Sequence, residues 1–259
     1  MSPLLYLLII PILTMCWIVM VKNISQVRVI AATGASAQLI FSCVLLYLFF
    51  MERHNGNQDQ MLLVSSHVWY QSFNIQLKVG VDGISIAMIV LTSVVTFAGV
   101  FVSWQVDHLV KEFFLSLILL ATGVFGFFIS LDLFTMFLFY ELAVIPMYLL
   151  IGIWGSGPKE YSAMKLTIML MTGSAILLVG LLGIYFSSAA GGMPTFDMTV
   201  ISRAGIPVSD QMLFFPFTFV GFGVLGALFP FPTWSPDGHA SAPTAVSMLH
   251  AGVLMKLGG

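Results

Sequence analysis

Long apolar runs separated by short polar clusters set the pattern of this chain. Leu4 to Val21 and Val29 to Met51 are the first two runs, each long enough to cross a bilayer as a helix of about twenty residues. No basic residue precedes the first and no small-residue cleavage signal follows it, so it reads as an anchor rather than a signal peptide. Glu52 to Lys78 is a mixed-charge connection, and its His54, Asn55, Gly56, Asn57, Gln58 and Asp59 predict a water-exposed loop. GVDGIS, at Gly80 to Ser85, opens a third helix over about Gly83 to Trp104. A fourth runs from about Phe113 to Ser130, after the charged link Asp107, His108, Lys111 and Glu112.

The fifth run, Leu131 to Trp154, carries Glu141 near its middle and Pro146 five residues on. A proline inside a helix leaves the carbonyl four residues back without its donor, here Leu142, and bends the helix there. After the turn Gly155 to Glu160 a sixth helix extends to about Phe186, with Lys165 in its first two turns. Ser187 to Asp210 is a second long loop carrying Gly191, Gly192, Pro194, Arg203 and Pro207, with no catalytic pattern in its turn residues. Between Met212 and Trp234 the seventh run holds Pro216, Gly221, Gly223, Gly226, Pro230 and Pro232. That many breakers predict an interruption between Gly221 and Pro232, and discontinuous membrane helices tend to line cavities. SPDGHASAP then leads into an eighth span from about Ala242 to Gly259, expected to bury Lys256 among Leu254, Met255 and Leu257.

Composition fits this pattern. Of the 259 residues 59% are hydrophobic and 8% charged, against about 25% charged in soluble domains. The expected class is an all-α polytopic membrane protein with about eight transmembrane helices. A net charge of −2 gives no footprint for nucleic acid, so the partners to look for are the lipid bilayer and other membrane chains. Cys16 and Cys43 sit in apolar runs without a C-x-x-C pair, and no glycine-rich nucleotide turn follows a strand, so no cofactor or metal is expected in this chain itself. The links after helices one, three and five hold Lys22, Arg28, Lys111 and Lys159. Those after two, four and six hold Arg53, Lys78 and Arg203. The bias favours a cytoplasmic side for the short links and for SPDGH, with the long loops opposite.

Glu141 is the leading candidate for chemistry, because an ionised carboxylate at bilayer depth costs on the order of 3 kcal/mol and marks a functional site by default. Its bland alternative is a neutral acid satisfied by a neighbouring helix. For Lys165, snorkelling to the interface competes with a role in charge transfer. His239, after Pro236, Asp237 and Gly238, is a candidate proton inlet at a helix entrance, while Asp237 has the alternative of capping that helix. His250 precedes Lys256 by six residues, about 240° round a helix, so a packed histidine is preferred there to a second relay. Trp69, Tyr70, Trp104 and Trp154 fall at span ends as an interfacial belt.

VGVDGISIAMIVLT, FYELAVIPMYLLIGIWG, KEYSAMK and PFPTWSPDGHASAPTAVSMLHAGVLMKLGG resemble the antiporter-like chain M, or chain 4, of proton-pumping NADH:quinone oxidoreductase, respiratory complex I. The resemblance implies a fourteen-helix fold with two inverted five-helix repeats and a line of buried charges. Residues 1–110 would be helices one to three and 111–259 the start of the first repeat, so that the chain is a fragment or a reduced relative. It further implies proton transfer by Glu141, Lys165 and Lys256, with His239 and Asp237 in the loop before helix eight. NADH, FMN, iron–sulfur clusters and quinone would belong to partner subunits, in a bacterial inner membrane or equivalent energy-transducing membrane. GVDGIS favours complex I over its relatives among multi-subunit sodium/proton antiporters and membrane-bound hydrogenases. The sequence also departs from the family. Leu225 and Ala227 stand where similar chains carry a buried lysine and a proline, and Pro232 where they carry a histidine, so Glu141 lacks its usual lysine partner. That loss favours a non-pumping structural chain.

Overall fold

The computed structural model describes residues 2–191 and 193–259; Gly192 of the second long loop lies outside the described residues. The apolar runs become α1 (Tyr6–Met20), α2 (Ile24–His54), α3 (Gly83–Val102), α4 (Val110–Ile129), α5 (Leu133–Trp154) and α6 (Lys159–Ser187). These are followed by the short α7 (Met198–Ala204), then α8 (Val208–Leu225), α9 (Trp234–Ser241) and α10 (Thr244–Gly252). Among the described residues seven helical segments, Pro3–Met20 (α1 with the 3-10 turn before it), α2 to α6 and α8, are long and apolar enough to cross a membrane. The eighth expected span departs from a continuous helix: α10 has nine residues, stops at Val253, and gives way to a 3-10 turn over Leu254–Gly258.

The helices meet largely as chain neighbours: α1 packs on α2 and α4, α4 on α5, α5 on α6, and α6 on α8 and α9. Small residues allow the tightest approach. A Cβ on Gly221 of α8 would lie 2.8 Å from Leu177 Cα on α6, and one on Gly173 of α6 would meet Val224 Cβ at 2.8 Å, so the two backbones touch as packed membrane helices do. The interruption in the seventh run falls where the breakers predict it. After Leu225 the chain turns through residues 226–233, with Ala227 at φ 52°, and α9 begins at Trp234.

The links sort onto two ends, as the odd and even pattern requires. At one end Lys111 Nζ donates to the carbonyls of Val19 and Val21 at 2.6 and 3.1 Å, and Trp154 Nε1 to that of His108 at 2.7 Å. At the other end the loop expected over Glu52 to Lys78 is largely sheet. Within it β1 (Leu62–Tyr70) pairs antiparallel with β2 (Ile75–Val81), Leu62 opposite Val81 and Tyr70 opposite Ile75. The alternation in IQLKV and the β-branched and aromatic residues of VSSHVWY carry this strand signal, and Asn74, left-handed at φ 51°, closes the turn. Two further loops dock on it: Leu131 N donates to Lys78 O at 2.8 Å and Met198 N to Leu131 O at 3.0 Å.

Charge holds this platform together. Lys78 Nζ lies 2.6 Å from both Asp197 Oδ2 and Thr199 Oγ1, with the Lys78 and Asp197 side chains 15% and 7% exposed. Asp132 is fully buried and accepts from the backbone N–H groups of Phe134, Thr135 and Gln76, capping α5. Burial alone would push the Asp197 carboxyl up, but the hydrogen bonds from Lys78 and Thr199 and the Lys78 charge outweigh it and hold the group below its ordinary value. Burial pushes Asp132 up; three backbone donors oppose the rise and the Asp197 charge adds to it.

The stability Asp197 contributes is therefore present above the ordinary aspartate value of about 3.9 and lost as pH falls through its lowered folded value. Asp132 runs the other way, its contribution fading as pH rises through its raised value. Lys78→Met strands the buried Asp197 carboxylate and should cost about 2 kcal/mol near pH 7. Thermal unfolding in detergent should find that gap from the parent narrowing below pH about 4, with exchange faster at the β2 amides. A loss that does not change with pH would assign the effect to packing of the lysine stem.

Candidate functional site

The candidate residues lie on α5, α6, α9, α10 and the final turn. Glu141 is nine residues past the Asp132 cap of α5, about 13 Å along the helix axis. It is half-buried, and its Oε1 is buried with no hydrogen-bond partner among the described residues. The adjacent Tyr140 is fixed: its hydroxyl donates to Leu170 O on α6 at 3.1 Å. That bond and the buried faces of Met147 and Leu150 clamp α5 to its neighbours, so Glu141 is held by its helix rather than by a partner. Pro146 lies within the continuous α5.

Lys165 pairs with a carboxylate on a neighbouring helix. Its ammonium reaches Asp237 Oδ2 on α9 at 2.6 Å and sits 5.6 Å from the centre of the Tyr161 ring. The ion pairs among the described residues are Arg28–Asp107, Lys78–Asp197 and Lys165–Asp237, so Glu141 takes part in none of them. The alternative that Asp237 caps the coming helix is also corrected. Asp237 lies in the first turn of α9 itself, and Pro243 stands at the cap of α10. With side-chain exposures of 27% and 41%, the Lys165–Asp237 pair joins α6 to α9 in a partly wet setting, where such pairs contribute below about 1 kcal/mol.

His239, also on α9, stands within hydrogen-bond distance of Ser247 on α10, Nδ1 to Oγ at 3.2 Å. Its ring stacks on His250, centroids 4.1 Å apart and planes 25° from parallel. His250 in turn stacks on Trp234 at 5.2 Å and 18°. His250 is fully buried, and neither ring nitrogen has a hydrogen-bond partner among the described residues. The expectation of a packed histidine holds, with aromatic faces rather than hydrogen bonds as its surroundings. Lys256 departs from expectation. The turn after Val253 buries Leu254 and Leu257 and leaves Lys256 exposed, its Nζ donating to Ala251 O at 2.7 Å.

Carbonyls freed at the break are met by protein. Trp234 Nε1 donates to Val224 O at 3.0 Å and Leu228 N to Gly223 O at 2.8 Å. Leu225, where a lysine was looked for, is fully buried in one apolar cluster with Leu170, Leu177, Leu254 and Leu257. Sequence reasoning missed Lys78, Asp132 and Asp197. The signal was present in the Asp residues two and three places before Phe134, Thr135 and Thr199, the spacing of helix caps.

The arrangement provides a run of ionisable groups from α10 through His239 and Asp237 to Lys165, with Glu141 separate on α5. Comparison with known proteins places it in context. The family described as NADH:quinone oxidoreductase/Mrp antiporter, TM, matches residues 130–259. NAD(P)H-quinone oxidoreductase chain 4 3 of Picosynechococcus sp. is 37% identical over 215 residues, 83% of this chain and 39% of that protein. NADH-quinone oxidoreductase subunit M of Rickettsia conorii is 33% identical over 226 residues, 85% of this chain and 45% of that one. The chain thus spans less than half the length of these relatives. Two solved structures share its fold: the archaeal membrane-bound sulfane sulfur reductase, with TM-score 0.83, 18% identity and coverage of 100% of this chain and 52% of that one, and respiratory complex I from Thermus thermophilus with bound NADH, at 0.81, 20%, 99% and 50%.

Leu225→Lys tests whether the α8 position communicates with Glu141. An ammonium there costs about 3 kcal/mol on insertion scales before any loss of packing. Glu141→Gln should then be more damaging in the Leu225→Lys background than alone, with a coupling of about 1 kcal/mol or more in a double-mutant unfolding cycle. Additive losses would separate the two positions.

Proposed function

The chain belongs to the NADH:quinone oxidoreductase/Mrp antiporter transmembrane family, and from that premise we propose that it serves in the membrane arm of an NADH:quinone oxidoreductase and moves protons there. Redox chemistry in this reading belongs to partner subunits that bind NADH, FMN, iron–sulfur clusters and quinone. The observation that carries the reading is the pairing of an unpartnered intramembrane acid, Glu141, with a run of ionisable side chains across α6, α9 and α10. Buried ionisable groups are retained in membranes where they do something, because holding them there is costly.

In this mechanism a proton arrives at His239, which burial and then the Lys256 charge hold below the ordinary histidine value. Asp237, two residues before it on α9, answers that charge, and its grip on the Lys165 ammonium loosens or tightens accordingly. Lys165 then modulates Glu141, the group that gains and loses the proton. Coulomb energy at an effective dielectric of about 20 is about 4 kcal/mol at 4 Å, so a lysine moving by a few ångströms alters a carboxyl by more than a tenfold change in equilibrium, about 1.4 kcal/mol. Lys256 adds a second cation at the far end of α10.

A specific observation favours a second reading. Leu225 is buried apolar surface, which suits a chain that bridges neighbours without pumping. Proton flux separates the two. In vesicles holding the assembled enzyme, driven by NADH and quinone, Glu141→Gln should lower proton translocation about tenfold or more. Unchanged flux would favour the structural chain.

A further inference from the structure

His250 is used by none of the steps above. It is fully buried, its ring nitrogens are unpartnered among the described residues, and both of its faces are covered by rings: Trp234 at 5.2 Å and His239 at 4.1 Å, all within 25° of parallel. Gly238 closes the approach from the side, where a Cβ would lie 3.4 Å from the His250 ring. A ring nitrogen that takes a proton in such a place gains no acceptor for the new N–H and loses its water, which disfavours the charged form. His239 differs on both counts. It is half-buried, and its Nδ1 already faces the Ser247 hydroxyl at 3.2 Å.

The other charges around the pair do not change this ordering. On α6 the facing cation is Lys165, already bound by Asp237. From the last turn Lys256 acts on His239 through its charge. α5, which touches α10, carries Tyr140, Glu141 and Tyr148, and α3, the main neighbour of α10, has no titratable side chain. Two imidazolium rings 4.1 Å apart would repel strongly, so the pair holds at most one proton.

We infer that His250 is a positioning residue for proton uptake at His239: it stays neutral, completes a Trp234–His250–His239 column, and confines the pair's one proton to the outer ring. The face of a neutral aromatic ring stabilises a cation stacked over it. Trp234, anchored through its own N–H to Val224 O, fixes the depth of the column. The reading deepens the proposed proton path, since it rests on His239 as the inlet.

The test follows the two imidazoles directly, so that it does not depend on flux. The chain is labelled with 15N-histidine and placed in lipid nanodiscs, and its five histidines are assigned by single substitution and titrated by NMR. His239 should titrate in a single step in the parent, with His250 neutral throughout. His250→Phe keeps the stacked face and should leave the His239 midpoint within about 0.2 pH units of the parent, whereas His250→Leu should lower it by about half a unit. A two-step titration in the parent that becomes single in His250→Phe would overturn the inference, as would equal midpoints in Phe and Leu. If His250→Leu fails to fold, the comparison of parent with His250→Phe still decides. Flux lost in Glu141→Gln with a two-step parent titration would retain the proton path and discard this column, while the reverse result would do the opposite.

Discussion

Trp234 is the joint on which the broken part of this membrane domain depends. Its indole is fully buried, its N–H takes the Val224 carbonyl at the end of α8, and its face carries His250 from α10. One side chain thus ties three segments that have no continuous helix between them. In a bilayer an unpaired backbone carbonyl costs several kcal/mol, so a helix can stop at depth only where something else donates. Trp234 shares the Val224 carbonyl with the Ala227 N–H, and the N–H groups of Gly226 and Leu228 meet the carbonyls of Phe222 and Gly223. The interruption expected from Gly221 to Pro232 is therefore real but closed with protein, and the cavity that such breaks usually line is not what satisfies it.

Most of the helical order was legible because the signal was strong and redundant. Apolar runs about twenty residues long bounded by Lys, Asp, Gly and Pro leave little choice of element, and GVDGIS, where Asp82 accepts from the Ile84 and Ser85 amides, marks the start of α3. What escaped was structure whose pattern is split along the chain. β1 and β2 were hidden inside a segment whose first third, His54 to Asp59, is strongly polar and coloured the whole. Lys78 and Asp197 are 119 residues apart, and no local pattern marks them as a pair. Lys256 was misplaced because a helix was extended through Val253, where the backbone at φ −133° and ψ −53° leaves it. At Glu141 the sequence located the acid and the resemblance implied the loss of its lysine partner, and the described residues give its Oε1 no other.

The Lys78–Asp197 and Lys165–Asp237 ion pairs are not equivalent. Lys78–Asp197 is shielded and shares its ammonium with Thr199, so it fastens three loops on one face of the membrane. Lys165–Asp237 is equally short, 2.6 Å, but nearly twice as exposed on the lysine side and far more on the acid side, and its partner sits on an eight-residue helix that begins at Trp234. Distance alone would rank them together; burial and the rigidity of the partner separate them, because exposed pairs lose most of their attraction to solvent. The first is suited to holding, the second to being exchanged.

The placement of charge around α8 follows from the same reasoning. With Leu225 buried among leucines, no cation projects from α8 into the apolar cluster, and the nearest acid–base partnership is displaced to α9, beyond the break. Asp237 holds Lys165 from the first turn of α9, which packs on α6. An apolar residue at 225 leaves α6 free to pair with α9 and leaves Glu141 as the one acid of α5 without a bonded cation among the described residues.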